Sequence, residues 1–330
     1  MNASPKPLLL IFFFLFTFTA LTACTAAPEN PDASATDTAI TVTDTAVTFT
    51  DNAGVTHTVN KHPQTTAVLF SSFADIWTTA GGNISVTVGE SVERGFAAHG
   101  VTLVDDRAGK TVNTELLIAA KPDFVICSAD IPAQAECAAG LCEAGIAAAV
   151  FRVETFDDYL RVLEIFCALN ETPDIYETCG IQIKEQIDGL LSAAAENNTV
   201  PEKRILFLRA GTSAKATKAK TADDHFAAVM LEELGCHNIA DDAPVLLDGL
   251  SIEEIITENP DAVFISMMGE EAAVRSYMDG VLRLDTWQTL DAVRDGRVYY
   301  LPKDLFQFKP NARWYEAYRY LYELLYDATP

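Results

Sequence analysis

Two carboxylates stand at matching places in two similar stretches of the sequence. The first stretch, NTELLIAAKPDFVI, begins at Asn113, and the second, SIEEIITENPDAVFI, begins at Ser251. When their Pro-Asp pairs are aligned, Glu115 coincides with Glu253, each seven positions before its proline. A carboxylate in the first turn of a helix interacts favourably with the helix dipole, and an exposed one can also pair with a partner's cation. Ser251 and Glu254 match a capping box, which leaves Glu253 free to face outward.

A second set of side chains follows the predicted buried strands or lies in loops nearby. Ligands of α/β sheets bind beyond the carboxyl ends of the strands, so these positions are candidates for a binding site. The arginines among them could bind an anionic ligand, because a guanidinium group pairs with a carboxylate in a forked geometry. The candidates are Ser71, Ser72, Arg94, Arg107, Ser128, Asp130, Arg209, Met267, Met268, Phe306, Phe308 and Arg313.

Alternating helix and strand patterns must position these side chains. The folded body opens with a predicted hairpin, AVTFTDNAGVTHTV, whose turn signal begins at Asp51. Several later strand candidates are continuous apolar runs, as expected for parallel strands covered by helices on both faces. The pattern therefore predicts an α/β fold. The candidate strands are residues 67–70, 101–104, 124–127, 147–151, 205–208, 262–266 and 298–301.

One helical pattern near the middle of the chain is unusually long. In TPDIYETCGIQIKEQIDGLLSAAAENN, Thr172 can cap the helix, Pro173 suits its first turn, and the apolar residues form one stripe. A helix of about 23 residues extends about 35 Å, which is enough to connect two lobes. The alternative is a crossover helix inside one sheet, but such helices are usually shorter. A chain of 330 residues also favours two lobes over a single core.

The start of the chain has the composition of an export signal followed by a tether. Lys6 precedes an apolar run, LLLIFFFLFTFTALTA, that is short for a membrane-spanning helix. Its end resembles a bacterial lipobox, in which Cys24 is lipidated, although a plain secretory signal is the alternative. The next segment, rich in Thr, Ala, Asp and Pro, cannot bury enough apolar surface to fold. We predict a signal peptide (1–23), lipidated Cys24 with a tether (24–46), an N-terminal lobe (47–171), the long helix (172–198) and a C-terminal lobe (199–330).

Charge and cysteine content exclude some partners and sites. The chain has 47 acidic residues against 23 Lys and Arg, and its formal net charge of −24 repels phosphate backbones. We therefore expect no nucleic-acid partner. Cys137 and Cys142 are close enough in sequence to pair in an oxidising compartment, but their spacing does not fit a zinc site. Most cysteines after Cys24 are expected to be buried thiols.

Four features together resemble the substrate-binding proteins of ABC importers for iron-siderophores, haem and cobalamin. They are the lipobox, the hairpin, the paired units that lead from an acid through Pro-Asp to a strand, and the mid-chain helix. The resemblance covers roughly residues 47–326. It implies two Rossmann-like lobes joined by a single long spine helix, with the ligand in the cleft between the lobes.

The resemblance also implies partners and a location. Glu115 and Glu253 would dock arginines of a permease dimer that works with ATPase subunits. The protein would be a monomer, lipid-anchored at the outer face of the cell membrane. Its ligand would be a ferric siderophore, haem or cobalamin, and it would have no intrinsic cofactor and no catalytic residue.

Other functions are possible on the same architecture. Metal-importing relatives bind bare zinc or manganese through converging histidines and carboxylates, but the five histidines here are not paired at ligand spacing. Haem could take an axial ligand from Met267, Met268 or His99. A chelatase-like enzyme would need chemical motifs, and the sequence contains no G-x-G-x-x-G, no G-x-x-x-x-G-K-[ST] and no G-x-S-x-G. A tethered adhesin is a further alternative, but we expect a binding protein and not an enzyme.

Overall fold

The structure is a computed structural model that describes residues 40–105, 111–197 and 202–327. Cys24 and Arg107 lie outside the described residues, as do the predicted signal peptide and most of the predicted tether. Across the described ranges, no helix has both the length and the apolar character that crossing a membrane requires.

A three-stranded antiparallel sheet begins the described chain. β1 (Thr41–Val42) pairs with β2 (Ala46–Thr50), and β2 pairs with β3 (Thr56–Asn60), which confirms the predicted hairpin. Val47 and Phe49 are buried while their neighbours in β2 are partly exposed, the alternation expected of a sheet with one covered face. The predicted tether extends to residue 46, but β1 lies inside this range and its backbone pairs with β2, so the last part of the segment belongs to the sheet.

Five parallel strands form the sheet of the N-terminal lobe, in the order β6-β5-β4-β7-β8. Every residue of the strands β7 and β8 is buried, as expected for strands with helices on both faces. In chain order the elements are β4 (Thr66–Val68), α1 (Ser71–Thr79), β5 (Val86–Thr87), α2 (Gly89–Glu93), β6 (Thr102–Leu103), α3 (Thr114–Ala119), β7 (Phe124–Ser128), α4 (Pro132–Glu143), β8 (Ala148–Phe151) and α5 (Phe156–Asn170).

The predicted long helix is present. It runs from α6 (Pro173–Tyr176) through a π-helical turn, Glu177–Ile181, into α7 (Gln182–Asn197). The predicted cap is wrong, because the Thr172 hydroxyl donates instead to the Ala80 carbonyl at 2.9 Å. The hydroxyl thereby joins the start of the long helix to the end of α1.

A glycine lets the long helix approach α5 closely. A Cβ atom at Gly180, in the π-helical turn, would lie 2.8 Å from Cδ1 of Leu160. Any larger residue would therefore require the Leu160 side chain or the helix to move. The Tyr159 hydroxyl donates to the Cys179 carbonyl at 3.0 Å in the same contact.

The C-terminal lobe has a five-stranded sheet in the order β10-β9-β12-β13, and β11 also pairs with β9. The pairs are parallel except β10 with β9, which is antiparallel. In chain order the elements are β9 (Lys203–Ala210), β10 (Lys218–Ala219), α8 (Phe226–Glu233), β11 (Cys236–Asn238), α9 (Ile239–Asp242), α10 (Val245–Asp248), α11 (Ile252–Glu258), β12 (Ala262–Met267), α12 (Glu271–Leu282), α13 (Asp291–Arg294), β13 (Val298–Tyr300), α14 (Lys303–Phe306) and α15 (Trp314–Tyr322). Three 3₁₀ turns and a final π turn complete the chain: Ala214–Ala216, Trp287–Thr289, Asn311–Arg313 and Glu323–Asp327.

One apolar core extends through both lobes and the long helix. It contains Trp77 and Phe166 from the N-terminal lobe, Ile187 from α7, and Phe207 and Trp314 from the C-terminal lobe. The rings of Trp77 and Phe166 meet edge to face at 5.2 Å. Each lobe also has a smaller core of its own. Apolar packing therefore joins the lobes in addition to the covalent connection.

The six cysteines of the described chain are free thiols. Cys137 and Cys142 both lie on α4, and five residues of helix turn their side chains about 140° apart, so they do not pair. Cys142 instead contacts the Ala148 carbonyl at 3.3 Å.

The hairpin turn covers the edge of the N-terminal sheet at β8. The Asp51 carboxylate accepts the Val150 N–H and the Nε2 of His57, both at 2.9 Å, and its side chain is 1% exposed. Burial opposes ionisation of Asp51, but the hydrogen bonds from His57, Val150 and Val55 outweigh it, so its pKa is lowered. The neighbouring Asn52 N–H donates to the Val150 carbonyl at 2.9 Å. The turn thus occupies backbone groups that an open edge strand would expose.

Replacing Asp51 with alanine should lower the free energy of unfolding by about 3 kcal/mol, because His57 and three backbone N–H groups lose their acceptor. Urea unfolding at neutral pH measures this loss. A carboxylate with a lowered pKa stabilises the fold above its usual value of 3.8, and this stabilisation is lost as the pH falls through the folded pKa.

The gap in unfolding free energy between wild type and Asp51→Ala should therefore shrink in acid. Asp44→Ala, at an exposed position, is the control and should change stability by less than about 0.5 kcal/mol. A gap that stays constant down to about pH 2 would show that Asp51 does not act through its charge.

Candidate functional site

A cavity of about 540 Å³ lies beyond the carboxyl end of β13 in the C-terminal lobe. The position agrees with the rule that α/β sheets bind ligands at the carboxyl ends of their strands. The lining combines cationic, acidic and aromatic side chains. Its residues are Glu271, Arg275, Tyr300, Leu301, Pro302, Lys303, Asp304 and Phe308.

Arg275 is an exposed cation of this cavity, and two contacts fix its position. Its guanidinium lies over the ring of Tyr300, 4.1 Å from the centroid, and it pairs with Glu271 at 3.4 Å. The Tyr300 hydroxyl donates to Asp279 at 2.6 Å, and burial together with this carboxylate raises the pKa of Tyr300, so the phenol stays neutral. A guanidinium that uses its face for an aromatic contact keeps donors on its edge for a ligand.

Phe308 marks the place where the two lobes meet beside the cavity. Arg94, from the loop after α2 in the N-terminal lobe, lies 3.9 Å from the Phe308 ring centroid and 4.7 Å from that of Phe96. The Lys303 ammonium lies 5.9 Å from the centroid of the same Phe308 ring and donates to the Gly269 carbonyl at 3.0 Å. The Phe308 ring therefore lies near a cation from each lobe.

The side chains around Arg94 hold it at this place. Its Nη1 donates to the Ser71 hydroxyl at 2.9 Å, and that hydroxyl donates in turn to Glu90. Burial lowers the pKa of Arg94, while the charges of Glu90 and Asp75 oppose this effect, and a guanidinium remains protonated in any case. Arg94 is thus a positioned cation at the lobe junction.

Asn311 forms a direct hydrogen-bonded link between the lobes. Its side chain amide donates to the Ser72 carbonyl at 3.0 Å and to the Asp75 carboxylate at 2.8 Å, both on α1. The residue is 1% exposed, and its backbone is left-handed with φ of 49°. Burial raises the pKa of Asp75, and the amide of Asn311 and the charges of Arg94 and Arg313 oppose that rise.

An ion pair also crosses the junction. Lys309 lies 2.7 Å from the Glu154 carboxylate, and both side chains are largely covered. The ammonium group also lies 5.0 Å from the ring centroid of Phe226. The pKa of His225 is lowered to about 3, mainly by burial and further by the positive charges of Arg209 and Lys309. This histidine is therefore neutral.

The structure brings some of the predicted ligand residues to this place. Arg94 and Phe308 are in contact, and Ser71 and Ser72 support the junction through a hydroxyl and a carbonyl. Arg209 is half-buried in β9, beside the charged groups around His225.

Other predicted ligand residues are used elsewhere. Phe306 is fully buried and packs on Tyr320 at 5.8 Å, because α14 turns it inward and leaves Phe308 at the opening. Met267 is 1% exposed in the core of the C-terminal lobe, whereas Met268, the next residue, is 39% exposed. We therefore correct Phe306 and Met267 to core positions.

Two further candidates are occupied by local contacts. The Ser128 hydroxyl is buried and accepts the Asp130 N–H at 3.2 Å. Arg313 pairs with both oxygens of Glu316 and with Asp304, each at 2.8 Å, and these hydrogen bonds raise its pKa. Arg313 therefore stands at the rim of the cavity with its donors already engaged.

Several residues of the site were missed by sequence reasoning. Lys303 lies two residues after a predicted strand and could have been found by the rule applied to its neighbours. Arg275 and Glu271 lie on α12, and Asn311 lies in a 3₁₀ turn, so no local pattern relates them to the sheet edge. Their proximity arises only from packing.

The histidines do not converge. His57 and His62 pair with Asp51 and Glu171, and His237 pairs with Asp242. His99 lines a separate cavity of about 270 Å³ in the N-terminal lobe. Within residues 40–105, 111–197 and 202–327, no group of three or more His, Cys, Asp or Glu side chains could hold a metal ion. The bare-metal alternative receives no support from this part of the chain.

The two matched acids are exposed, one on each lobe. Glu115 lies in the first turn of α3, and Glu253 lies in the first turn of α11. The Asn113 side chain caps α3 by accepting the Leu116 N–H at 3.0 Å. Ser251 makes no such contact, so the predicted capping box is absent from α11.

Comparisons with known proteins give one family and one fold. The model of a family described as periplasmic binding protein matches residues 52–305. No curated protein matches the sequence. The solved structures described below are 19% identical to this chain, so their likeness to it concerns the fold.

Similar solved structures come from three different bacteria. They are a possible iron-binding periplasmic solute-binding protein from Staphylococcus epidermidis (TM-score 0.63, 19% identity, 81% of this chain and 100% of that chain), a periplasmic haem-binding protein from Roseiflexus (TM-score 0.62, 19% identity, 80% and 98%), and a periplasmic vitamin B12 binding protein from Vibrio cholerae (TM-score 0.62, 19% identity, 81% and 99%).

Replacing Asn311 with glycine should lower the free energy of unfolding by about 2 kcal/mol, because both hydrogen bonds to α1 are lost while the left-handed backbone is kept. Asn311→Ala should cost about 1 kcal/mol more, since a Cβ atom disfavours positive φ. Urea unfolding measures both values, and small-angle X-ray scattering should show that the lobes separate more widely.

Asn259→Gly is the matched control, because Asn259 is also left-handed but lies on the surface of one lobe. It should leave the scattering curve unchanged. An Asn311→Gly protein with wild-type stability and dimensions would show that the amide does not hold the lobes together.

Proposed function

The chain belongs to the periplasmic binding protein family, and from this premise we propose that it is the substrate-binding component of an ABC importer for a metal chelate. The candidate ligands are a ferric siderophore, haem and cobalamin. The family consists of binding proteins rather than enzymes, so the chelate is cargo to be handed to a permease and not a cofactor. The solved neighbours are named as iron-, haem- and vitamin B12-binding proteins, which agrees with this choice.

The observation that carries the proposal is the cavity beyond the carboxyl end of β13, whose residue Phe308 contacts Arg94 of the N-terminal lobe. Its volume of about 540 Å³ lies within the usual range for small-molecule sites, about 300–1,000 Å³. The guanidinium groups of Arg275 and Arg94 lie over aromatic rings, so each places hydrogen-bond donors beside an apolar surface. An organic chelate has the same mixture of flat apolar parts and charged oxygen atoms.

The charges of the site favour an anionic chelate. The whole chain carries a formal charge of −24, yet Arg275 and Lys303 line this cavity and Arg94 lies over the ring of its residue Phe308. Both acids of the lining are already paired, Glu271 with Arg275 and Asp304 with Arg313. The ammonium of Lys303 is therefore available to an oxyanion, and carboxylates are the groups that guanidinium edges bind best.

The residues that line the cavity also indicate whether the protein itself would coordinate the metal of the chelate. The lining residues of the cavity include neither methionine nor histidine, and the hydroxyl of its one tyrosine, Tyr300, already donates to Asp279 and stays protonated, so none of them is poised as an axial ligand for haem iron. A chelate that fills the coordination sphere of its own metal needs none. Among the three candidates we therefore place a ferric siderophore with carboxylate groups first.

Docking and anchoring complete the proposal. Glu115 and Glu253 are exposed on separate lobes, where each could pair with an arginine of the permease. Lipidation of Cys24 would hold the protein at the outer face of the membrane, and the tether would give it reach.

Ferric citrate, haemin and cyanocobalamin titrated into the purified protein should reveal the ligand class by isothermal calorimetry. We expect binding of ferric citrate, the carboxylate chelate, and a rise in melting temperature at saturation. Arg275→Ala and Lys303→Ala should each weaken this binding about tenfold, since each removes a charged donor worth about 1.4 kcal/mol.

Arg294→Ala is the control, because this arginine is paired with Asp291 on the exposed helix α13, outside the cavity lining. It should leave the affinity unchanged. Absence of heat and of any thermal shift with all three chelates would refute the proposed ligand class.

A further inference from the structure

The helices α3 and α11 share a second exposed feature besides their acids. Ile118 on α3 is 47% exposed, Ile256 on α11 is 38% exposed, and each follows its glutamate by three positions. Residues three apart lie on the same face of a helix, so each acid has an isoleucine beside it. The residue before each isoleucine, Leu117 or Ile255, is fully buried and fixes both helices in the same rotation.

Such exposure is uncommon in this chain. Single exposed apolar residues are normal on protein surfaces, but a match at equivalent positions of two lobes is not expected from that background. Three of the eight large apolar side chains that are exposed among the described residues lie on α3 or α11. The eight are Val42, Val55, Leu116, Ile118, Val245, Ile256, Met268 and Leu284.

We propose that Ile118 and Ile256 are the apolar contacts of a duplicated docking surface, made of Glu115 with Ile118 and Glu253 with Ile256. The partner must present the same arrangement twice, a cation next to an apolar depression. Two identical subunits related by a twofold axis provide such a repeat. The inference rests on the proposed function, because the partner we name is the permease dimer of the importer.

The acids argue for this partner by charge. Exposed carboxylates on a strongly acidic protein attract a basic surface, and the acid and isoleucine together match a cation flanked by apolar groups. A lipid surface fits less well, because anionic headgroups would repel both acids.

The two halves of the surface differ at one position. Leu116, which follows Glu115, is 48% exposed, whereas Glu254 occupies the equivalent place after Glu253 and is partly covered. The contact made by α3 is therefore more apolar, and the contact made by α11 is more acidic. Binding through α11 should depend more strongly on ionic strength, since salt screens charges and not apolar burial.

The test uses the full chain and its cognate permease–ATPase complex in lipid nanodiscs, with affinity measured by biolayer interferometry at low and high salt. Ile118→Ala and Ile256→Ala should each weaken docking about fivefold, which corresponds to about 1 kcal/mol, and the double variant about 25-fold. The salt dependence of these variants should equal that of the wild type. Glu115→Gln and Glu253→Gln should weaken docking and reduce its salt dependence, Glu253→Gln more so.

Val55→Ala and Val245→Ala are matched controls, because both side chains are comparably exposed but lie on the hairpin turn and on α10. They should change the affinity less than twofold. Alanine is a better helix former than isoleucine, so the isoleucine variants should fold, and their circular dichroism spectra check this.

Two outcomes would overturn the inference. In the first, the double isoleucine variant docks like the wild type, which would leave docking to the acids alone. In the second, the wild-type chain does not bind the permease at all. Ferric citrate titrated into the same samples separates this failure from a failure of the proposed function, since ligand binding does not involve α3 or α11.

Discussion

The buried amide of Asn311 donates to Ser72 and Asp75 of the opposite lobe, and the segment that lines the cavity depends on this contact. Phe308 lies three residues earlier, and its ring receives Arg94 from the other lobe. Because the shared apolar core brings the lobes together only approximately, directional hydrogen bonds are needed to align the two edges. The cavity itself is lined by the C-terminal lobe, and the junction decides how its edge at Phe308 meets Arg94 of the other lobe.

Charge is distributed unevenly across a strongly acidic protein. Several cations lie at or near the place where the lobes meet, and they rest on aromatic rings or pair with acids. These contacts hold long flexible side chains in one conformation, which reduces the entropy that ligand binding would cost. The two matched acids, Glu115 and Glu253, are exposed on α3 and α11. The same chain can therefore attract an anion at the cleft and a basic partner at these two helices.

Local signals in the sequence predicted the main elements well. All seven candidate strands were found, because continuous apolar runs are a strong signal for strands buried on both faces. The strands β1, β5, β10 and β11 were missed, since two or three residues carry too little pattern. The capping predictions at Thr172 and Ser251 were wrong because a tertiary partner or a different local geometry replaced the expected contact.

By itself, the sequence determined the α/β class, the hairpin, the long helix and the repeated acid-bearing units, all of which depend on short-range periodicity and turn chemistry. Only the tertiary structure decided which strand-end residues reach the site. Phe306 and Phe308 look alike in sequence, but α14 buries one and leaves the other beside Arg94. Arg275 and Asn311 join the site through contacts between elements far apart in the chain, and such contacts leave no local pattern to read.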